Sequence, residues 1–178
     1  TCARPICLPA GTDYQVCFYA SGAKGGSSDA TGYLDQCYDN QPTSGTPTPV
    51  TVSVGATRAS TDAALVGGGA ISGTVSDAGG TQHGLANVWV SVSSASAGTF
   101  LTVTTATDGS YAVSGLPAAT DYTVCFTGAG ATGGSTDGLG YLDQCYDNQP
   151  ISGTPTPVTV SFGATTTAVG AALGAMAP

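Results

Sequence analysis

The sequence predicts an all-β sandwich of seven to eight short strands. Apolar and polar residues alternate in short runs, as in VWVSVS at 88–93, which is the pattern of a half-buried strand. Gly, Pro, Asp and Ser separate these runs at short intervals, and no segment has the period of an amphipathic helix. Many short strands with regular turn signals are typical of two packed antiparallel sheets.

Eight segments from residue 67 onward have this strand pattern. In chain order the predicted strands lie at residues 71–75, 88–92, 100–106, 110–114, 121–127, 141–146, 157–162 and 168–173. The Gly-rich residues 67–73 are expected to form a flexible joint ahead of them. Asp108-Gly109 predicts a hairpin between the third and fourth strands, and Leu116-Pro117 turns the chain into the fifth.

The chain also repeats itself. Residues 8–65 recur as residues 116–173 at a constant offset of 108, and 42 of these 58 positions are identical. We refer to the two segments as the first copy and the second copy. Only the second copy is preceded by a front half, residues 67–115. We therefore expect 1–66 to be the C-terminal half of a truncated first repeat and 67–178 to be one complete β-sandwich repeat of a tandem array.

Three segments of the complete repeat carry a family resemblance. They are ISGTVSD at 71–77, NVWVSV at 87–92 and TTATDGSYAVSGLPAATDYTVCF at 104–126. Together they resemble the carboxypeptidase regulatory-like domain, and GYLDQCYDNQP at 140–150 resembles a variant from exported proteins of high-GC Gram-positive bacteria. The resemblance implies an Ig-like or prealbumin-like (transthyretin-like) sandwich. It also implies a structural or adhesive role, sometimes carbohydrate binding, and no catalytic motif.

Charge narrows the classes of partner. The net charge is −8, charged residues make up 8% of the chain, and residues 67–178 contain no Lys or Arg. Nucleic acid is not expected as a partner, because phosphate binding needs clustered Lys and Arg, and anionic membrane surfaces are excluded for the same reason. No apolar run is long enough to insert into a membrane.

Cysteine spacing predicts disulfides and an exported protein. Cys17 and Cys37 recur in register as Cys125 and Cys145. Each copy offers too few Cys and His ligands for zinc, so a disulfide within each copy is the expected pairing. Because Tyr122, Val124 and Phe126 share one strand face, Cys125 points to the other face, and the bridge is expected on the outer surface of its sheet. Cys2 and Cys7 either pair with each other or serve partners elsewhere.

The second cysteine of each copy lies among aromatic and short polar residues. The candidate ligand-binding residues are Tyr33, Tyr38, Tyr141, Tyr146, Asp143 and Asp147. Aromatic faces beside carboxylates and amides suit a polysaccharide. The alternative is that the rings cover the disulfide and the edge of the sheet.

No cofactor is expected, and calcium is the single one for which the sequence offers a candidate site. Asp137, Asp143 and Asp147 flank the loop between the paired cysteines, and calcium prefers several carboxylate oxygens in one loop. The alternative is that they are solvated turn residues, and no EF-hand spacing is present.

The remaining chemistry predicts a protein without catalysis. His83 is the only histidine and no nucleophile motif accompanies it, while Trp89 is expected to be covered by a loop or by the first copy. The sequence therefore predicts a stalk or adhesion module of a secreted or cell-wall-associated bacterial protein. Its expected partners are neighbouring repeats, a polysaccharide or another chain of the same protein. The alternative is a carbohydrate-binding module accessory to an extracellular hydrolase.

Overall fold

The computed structural model describes residues 8–20, 22–79 and 82–176, so Cys2 and Cys7 lie outside the described residues. The described chain is all-β with several sheets, consistent with a β-sandwich as predicted. Its strands are β1 (Gly11–Tyr14), β2 (Cys17–Phe18), β3 (Gln36–Cys37), β4 (Gln41–Pro42), β5 (Val50–Val52), β6 (Gly69–Asp77), β7 (Trp89–Ser94), β8 (Thr99–Thr104), β9 (Ser110–Leu116), β10 (Ala119–Thr127), β11 (Gln144–Cys145), β12 (Val158–Val160), β13 (Thr165–Thr166) and β14 (Ala171–Leu173). Among these residues no helix is long and apolar enough to span a bilayer.

Two sheets account for the chain from Gly69 to Leu173. Sheet I has the order β11-β10-β7-β8. β12 also pairs with β10, on the same edge as β11 but nearer the start of β10. In sheet II, β6 pairs with β9 on one side and runs parallel to β13 and β14 on the other. β7, β8 and β10 form antiparallel ladders, as the alternating pattern of their sequences requires.

The inner faces of the two sheets meet in one core. Tyr111 of sheet II packs edge-to-face on Phe126 of sheet I, with ring centroids 6.0 Å apart. Such a geometry is favourable for aromatic rings and joins the sheets directly. The fully buried residues of this core, each with 0 % of its surface exposed, are Ile71, Val75, Leu85, Val88, Val90, Val92, Leu116, Tyr122, Val124, Phe126, Tyr141 and Leu173.

The hairpin predicted at Asp108-Gly109 is wrong. The turn itself forms, with the Gly109 N–H donating to the Ala106 carbonyl at 2.9 Å. However, β8 before it belongs to sheet I, whereas β9 after it pairs with β6 in sheet II. Alternation indicates which face of a strand is buried, but not which strand lies beside it, so a turn between sheets and a hairpin turn look alike in sequence.

Three smaller differences concern the ends of predicted strands. β12 stops at Val160, so Phe162 lies in a turn with 57 % of its surface exposed instead of joining the core. Thr165–Thr166 forms an additional short strand, β13, and the last predicted strand is limited to Ala171–Leu173.

The first copy reproduces the β10 edge of sheet I and little else. β1 pairs with β5, and β2 pairs with β3, in the registers that β10 uses with β12 and β11. The described residues contain no second layer over this face. Consequently Tyr14, Val16 and Phe18 are only partly buried, while their counterparts in the second copy are fully buried.

Candidate functional site

Each copy is closed by a disulfide between antiparallel strands. Cys125 of β10 is bonded to Cys145 of β11, and Cys17 of β2 is bonded to Cys37 of β3 in the same register. The predicted pairing is confirmed. Cys145 and Cys37 each expose 1 % of their surface, so the bridges are partly covered rather than lying wholly on the outer surface. Two such bonds are typical of proteins that mature in an oxidising, extracellular environment.

Residues 128–143 lie between the two bonded cysteines of the second copy, and we call them the pinned loop. The loop is organised around Tyr141. The Tyr141 hydroxyl donates to Asp137 Oδ1 at 2.8 Å and accepts from the Thr136 N–H at 3.3 Å. Burial, the largest cause, and the bond to Asp137 raise the pKa of Tyr141, whereas the bond from Thr136 acts in the opposite direction. Because the ring has no exposed surface, the prediction that Tyr141 presents a face to a ligand is wrong.

The same network occurs in the first copy. The Tyr33 hydroxyl donates to Asp29 Oδ1 at 3.3 Å and accepts from the Ser28 N–H at 3.0 Å. The backbone N–H groups of Gly25 and Gly26 donate to the Asp29 carboxylate, and these bonds lower its pKa. A loop whose hydrogen bonds are satisfied by its own residues keeps its shape in both copies although the layer around it differs.

A buried carboxylate that sequence reasoning missed ties the pinned loop to sheet II. Asp77 lies beyond the predicted end of its strand at residue 75, but it continues the inward series of β6 past Val75 and exposes only 1 % of its surface. The N–H and the hydroxyl of Ser135 both donate to its Oδ2, and the Gly79 N–H donates to Oδ1. The Ser135 hydroxyl is the largest cause of a lowered pKa at Asp77. The sequence signal for its burial was its spacing, since Asp77 lies two residues after Val75 and so falls on the same face of the strand.

The three carboxylates considered as calcium ligands each accept hydrogen bonds from different groups of the protein. Asp137 accepts from the N–H groups of Gly133 and Gly134, which lower its pKa together with the Tyr141 hydroxyl. Asp143 accepts from the Gly128 N–H at 2.8 Å, and Asp147 accepts from a threonine hydroxyl. In the described ranges, no three His, Cys, Asp or Glu side chains come close enough to hold a metal ion. The candidate calcium set is therefore not assembled in the described residues.

The segment after the second cysteine is a turn in both copies. Asp147 and Asn148 have φ of 62° and 56°, and Asp39 and Asn40 have the same values. Two successive residues with positive φ are characteristic of a type I′ turn, and Asp and Asn tolerate this conformation better than most residues. Tyr146 is half-buried against the core, and its counterpart Tyr38 is also half-buried. The DN pair in GYLDQCYDNQP thus has a conformational explanation.

A different aromatic surface lies on sheet I. Trp89 exposes 64 % of its surface and Phe100 exposes 71 %, so the expected cover of Trp89 is absent from the described residues. Both point to the outer face of sheet I, since the ladder sets Trp89 opposite Thr104 and Phe100 opposite Ser93. The same face carries the hydroxyls of Ser91 and Thr102, and on β10 those of Thr123 and Thr127 with Cys125 between them. We call this surface the hydroxyl face.

The two copies are joined without a free linker. The Leu34 N–H donates to the Val66 carbonyl, and the Gly68 N–H donates to the Gly32 carbonyl, each at 2.8 Å. β6 begins at the next residue, Gly69. The Gly115 N–H also donates to the Thr31 carbonyl at 2.7 Å, which brings β9 against the first copy. We call residues 31–34, 66–68 and 115 the junction.

The junction requires glycine. A Cβ on Gly68 would lie 2.8 Å from the Gly115 Cα, and a Cβ on Gly32 would lie 2.7 Å from the Gly115 nitrogen. Side chains at these positions would therefore collide with backbone, which cannot move aside cheaply. The expected flexible Gly joint at 67–73 is instead a close-packed contact that continues directly into a strand.

A scan against protein-family models gives no match, and a search of curated proteins gives no significant match.

Proposed function

We propose that this chain is a non-catalytic structural module, a stalk or adhesion repeat of a secreted or cell-wall-associated bacterial protein. In this proposal 67–178 is a complete repeat with an Ig-like, prealbumin-like sandwich, of the kind that the carboxypeptidase regulatory-like domain represents. Residues 1–66 are then the C-terminal half of a preceding, truncated repeat, and neighbouring repeats are the primary partners. The two disulfides support an extracellular location.

The junction is the observation that carries this proposal. A stalk must hold its repeats in a fixed relative orientation, which backbone hydrogen bonds across the boundary achieve and a flexible linker does not. Two such bonds cross the boundary, from the Gly68 N–H to the Gly32 carbonyl and from the Gly115 N–H to the Thr31 carbonyl, and Gly69 already belongs to β6. By contrast, domains joined by ordinary Gly-rich linkers move independently.

Position 68 allows a sharp test of the fixed junction. Met176 occupies the position that corresponds to Gly68 and keeps the same backbone bond, with its N–H donating to the Gly140 carbonyl at 3.0 Å. A Met side chain is therefore compatible with this local backbone, so the collision that Gly68→Met introduces is with the β9 backbone at Gly115 and Leu116. We expect small-angle X-ray scattering of the unmodified chain to fit one rigid shape and Gly68→Met to fit only an ensemble.

The matched control is Met176→Gly, which changes the equivalent position where Gly115 has no part in the contact. It is expected to scatter like the unmodified chain. A scattering profile for the unmodified chain that requires many orientations of the two copies would contradict the stalk proposal.

Carbohydrate binding is the second candidate function, and the hydroxyl face favours it. Trp89 and Phe100 are exposed at two ends of a sheet surface whose other side chains are short hydroxyls and the Cys125 side of the disulfide. An exposed aromatic ring stacks on the apolar face of a sugar, and hydroxyls supply hydrogen bonds. This candidate keeps the ligand class expected from the sequence but uses a different surface. The chain would then serve as an accessory module of an extracellular hydrolase.

Pull-down on insoluble polysaccharides, including cellulose, chitin and peptidoglycan, separates the two candidates. If the hydroxyl face binds glycans, Trp89→Ala and Phe100→Ala weaken retention about tenfold each, since a stacking ring contributes on the order of 1–2 kcal/mol. Phe162→Ala removes an exposed ring in a turn outside this face and is the control. Retention that is unchanged in both face variants, or absent throughout, eliminates this candidate.

A further inference from the structure

The first copy has an unused strand edge. In the second copy, residues 123–127 of β10 pair with β7 in an unbroken antiparallel register, from Thr123 opposite Ser93 to Thr127 opposite Trp89. The corresponding residues of the first copy are 15–19, which we call the open edge. In the part of the chain that the structure describes, β1 and β2 pair on their other side with β5 and β3, and no strand lies along the open edge.

The apolar face beside the open edge is also incompletely covered. Tyr122, Val124 and Phe126 expose 0 % of their surface under sheet II and beside β7. The identical residues of the first copy, Tyr14, Val16 and Phe18, are only partly buried. An unpaired edge next to exposed apolar side chains is a template for the addition of another strand.

We propose that residues 8–66 are an acceptor site for an additional front-half segment of the kind represented by residues 67–115. That segment adds its β7-type strand antiparallel to the open edge and lays its β6–β9 layer over Tyr14, Val16 and Phe18. The ladder would repeat the second copy, with the counterparts of Ser93 and Trp89 opposite Gln15 and Tyr19.

The second copy supplies the reason for this particular occupant. The two copies are identical at 42 of 58 positions, and the identical residues include Val16, Cys17 and Phe18 of the open edge. Their other edge is already formed in the same register, with Cys17 opposite Cys37 as Cys125 is opposite Cys145. A surface that matches in sequence and in shape accepts the same partner. This inference rests on the repeat and not on the proposed stalk or adhesion role.

A second molecule of the same chain is a poor occupant. Each 178-residue chain carries one front half and two copies that need one, and its own front half already covers residues 116–173. If one molecule donated its front half to the first copy of another molecule, its own second copy would lose that cover. The exchange therefore gains no contacts. The donor must therefore be an additional segment.

The test supplies the donor in place of residues 1–7 and leaves residues 8–178 unchanged. A second copy of residues 67–115 is fused directly ahead of Leu8, and amide hydrogen exchange is followed at residues 15–19. We expect protection of these amides to rise by about tenfold or more, toward that of residues 123–127, because a paired edge exchanges only on opening. Unchanged exchange, including the case in which the fused segment is disordered, overturns the proposal.

Two variants of the fused segment show whether the pairing is the expected one. Val92→Asp within it places a charge on the face that must be buried and is expected to abolish the added protection. Ser93→Thr in the same segment alters a side chain on the outer face of β7 and is expected to preserve it. Protection that survives Val92→Asp would contradict the register proposed.

The unmodified chain provides the last comparison. Light scattering and hydrogen exchange at several protein concentrations reveal any pairing between molecules. A monomer whose open edge exchanges rapidly at every concentration agrees with the proposal. Concentration-dependent protection of residues 15–19 would instead assign the edge to self-association and contradict it.

Discussion

The backbone N–H of Gly115 donates a 2.7 Å hydrogen bond to the carbonyl oxygen of Thr31. These residues lie 84 positions apart by their numbers, in β9 of sheet II and in the loop of the first copy. The bond holds the last residues of a strand in one sheet against a loop that belongs to the other copy of the repeat. It makes the boundary between the copies part of the packed structure.

Gly32→Ala is expected to break this contact, whereas Gly140→Ala is not. Both residues have positive φ, 75° and 79°, so both substitutions impose the same backbone strain. Only the Cβ at position 32 meets the Gly115 backbone; the one at position 140 meets Met176 Sδ at 3.6 Å. We expect Gly32→Ala to destabilise the chain by about 1–3 kcal/mol more than Gly140→Ala, the usual range for overpacking.

Urea denaturation and amide exchange at Gly115 measure the effect. Faster exchange of the Gly115 amide in Gly32→Ala, with no change in Gly140→Ala, is the expected pattern. Equal destabilisation by the two substitutions would show that the junction adds nothing beyond the strain of a positive φ.

Val124→Ala is expected to destabilise much more than Val16→Ala. The two valines correspond in the repeat, but Val124 exposes 0 % of its surface and Val16 is only partly buried. Removing two buried methyl groups costs about 2–3 kcal/mol through lost burial and a cavity, and less than about 1 kcal/mol at a partly exposed site. Urea denaturation gives both values. Similar losses would mean that the first copy is covered in solution by something that the described residues lack.

Ser135→Ala is expected to loosen the pinned loop through Asp77. The Ser135 hydroxyl donates to the buried Asp77 carboxylate, and hydrogen bonds to charged groups contribute about 1.5–3 kcal/mol. Ser27, the counterpart in the first copy, is exposed, so Ser27→Ala is expected to change stability by less than about 0.5 kcal/mol. Thermal unfolding distinguishes them. A loss in Ser27→Ala as large as in Ser135→Ala would contradict the assigned role of Asp77.

Stability is expected to fall in acid, partly through Asp121. The hydroxyls of Ser94 and Ser96 and the Ser96 N–H donate to this carboxylate and lower its pKa to about 2. Because the folded pKa lies below the unfolded value of about 3.9, the stabilisation is fully present above the unfolded pKa. It is lost as the pH falls through that value toward about 2. Asp29, Asp77, Asp108 and Asp137 have lowered pKa values of the same sign.

Melting temperatures between neutral pH and acid test this assignment. Asp121→Asn is expected to flatten the decline, since it removes one of the groups that must be protonated. Asp13→Asn is the matched variant, because Asp13 occupies the corresponding position where Ser94 and Ser96 have no counterparts. It makes the same change in net charge. A decline that Asp121→Asn leaves as steep as before would exclude Asp121 as a contributor.

The local features were the most predictable ones. Alternation placed most strands, since a period of two residues reports a buried face directly. The spacing of Cys17 and Cys37, repeated at Cys125 and Cys145, predicted the two disulfides. Short-range networks such as Asp137 with Gly133 and Gly134 form from neighbouring residues, and for that reason they recur in both copies.

The candidate site was less predictable because it depends on burial. Tyr141 and Trp89 are both aromatic residues beside polar neighbours, yet one is fully buried and the other is 64 % exposed. Composition near a residue does not specify what packs over it. The exposed ring at Trp89 could have been recognised from its phase, opposite to Val90 and Val92, since no covering element was identified.

The sequence by itself determined that this protein is built from short strands and that a disulfide closes each copy. Tertiary structure alone decided that β8 and β9 lie in different sheets, that Asp77 is buried and that glycines form a packed junction. It also decided that identical side chains are buried at Tyr122 and partly exposed at Tyr14. The physical reason is the distance along the chain over which each kind of interaction acts. Turns, alternation and nearby hydrogen bonds are set by neighbours in the chain, whereas burial is set by whichever distant strands arrive to cover a face.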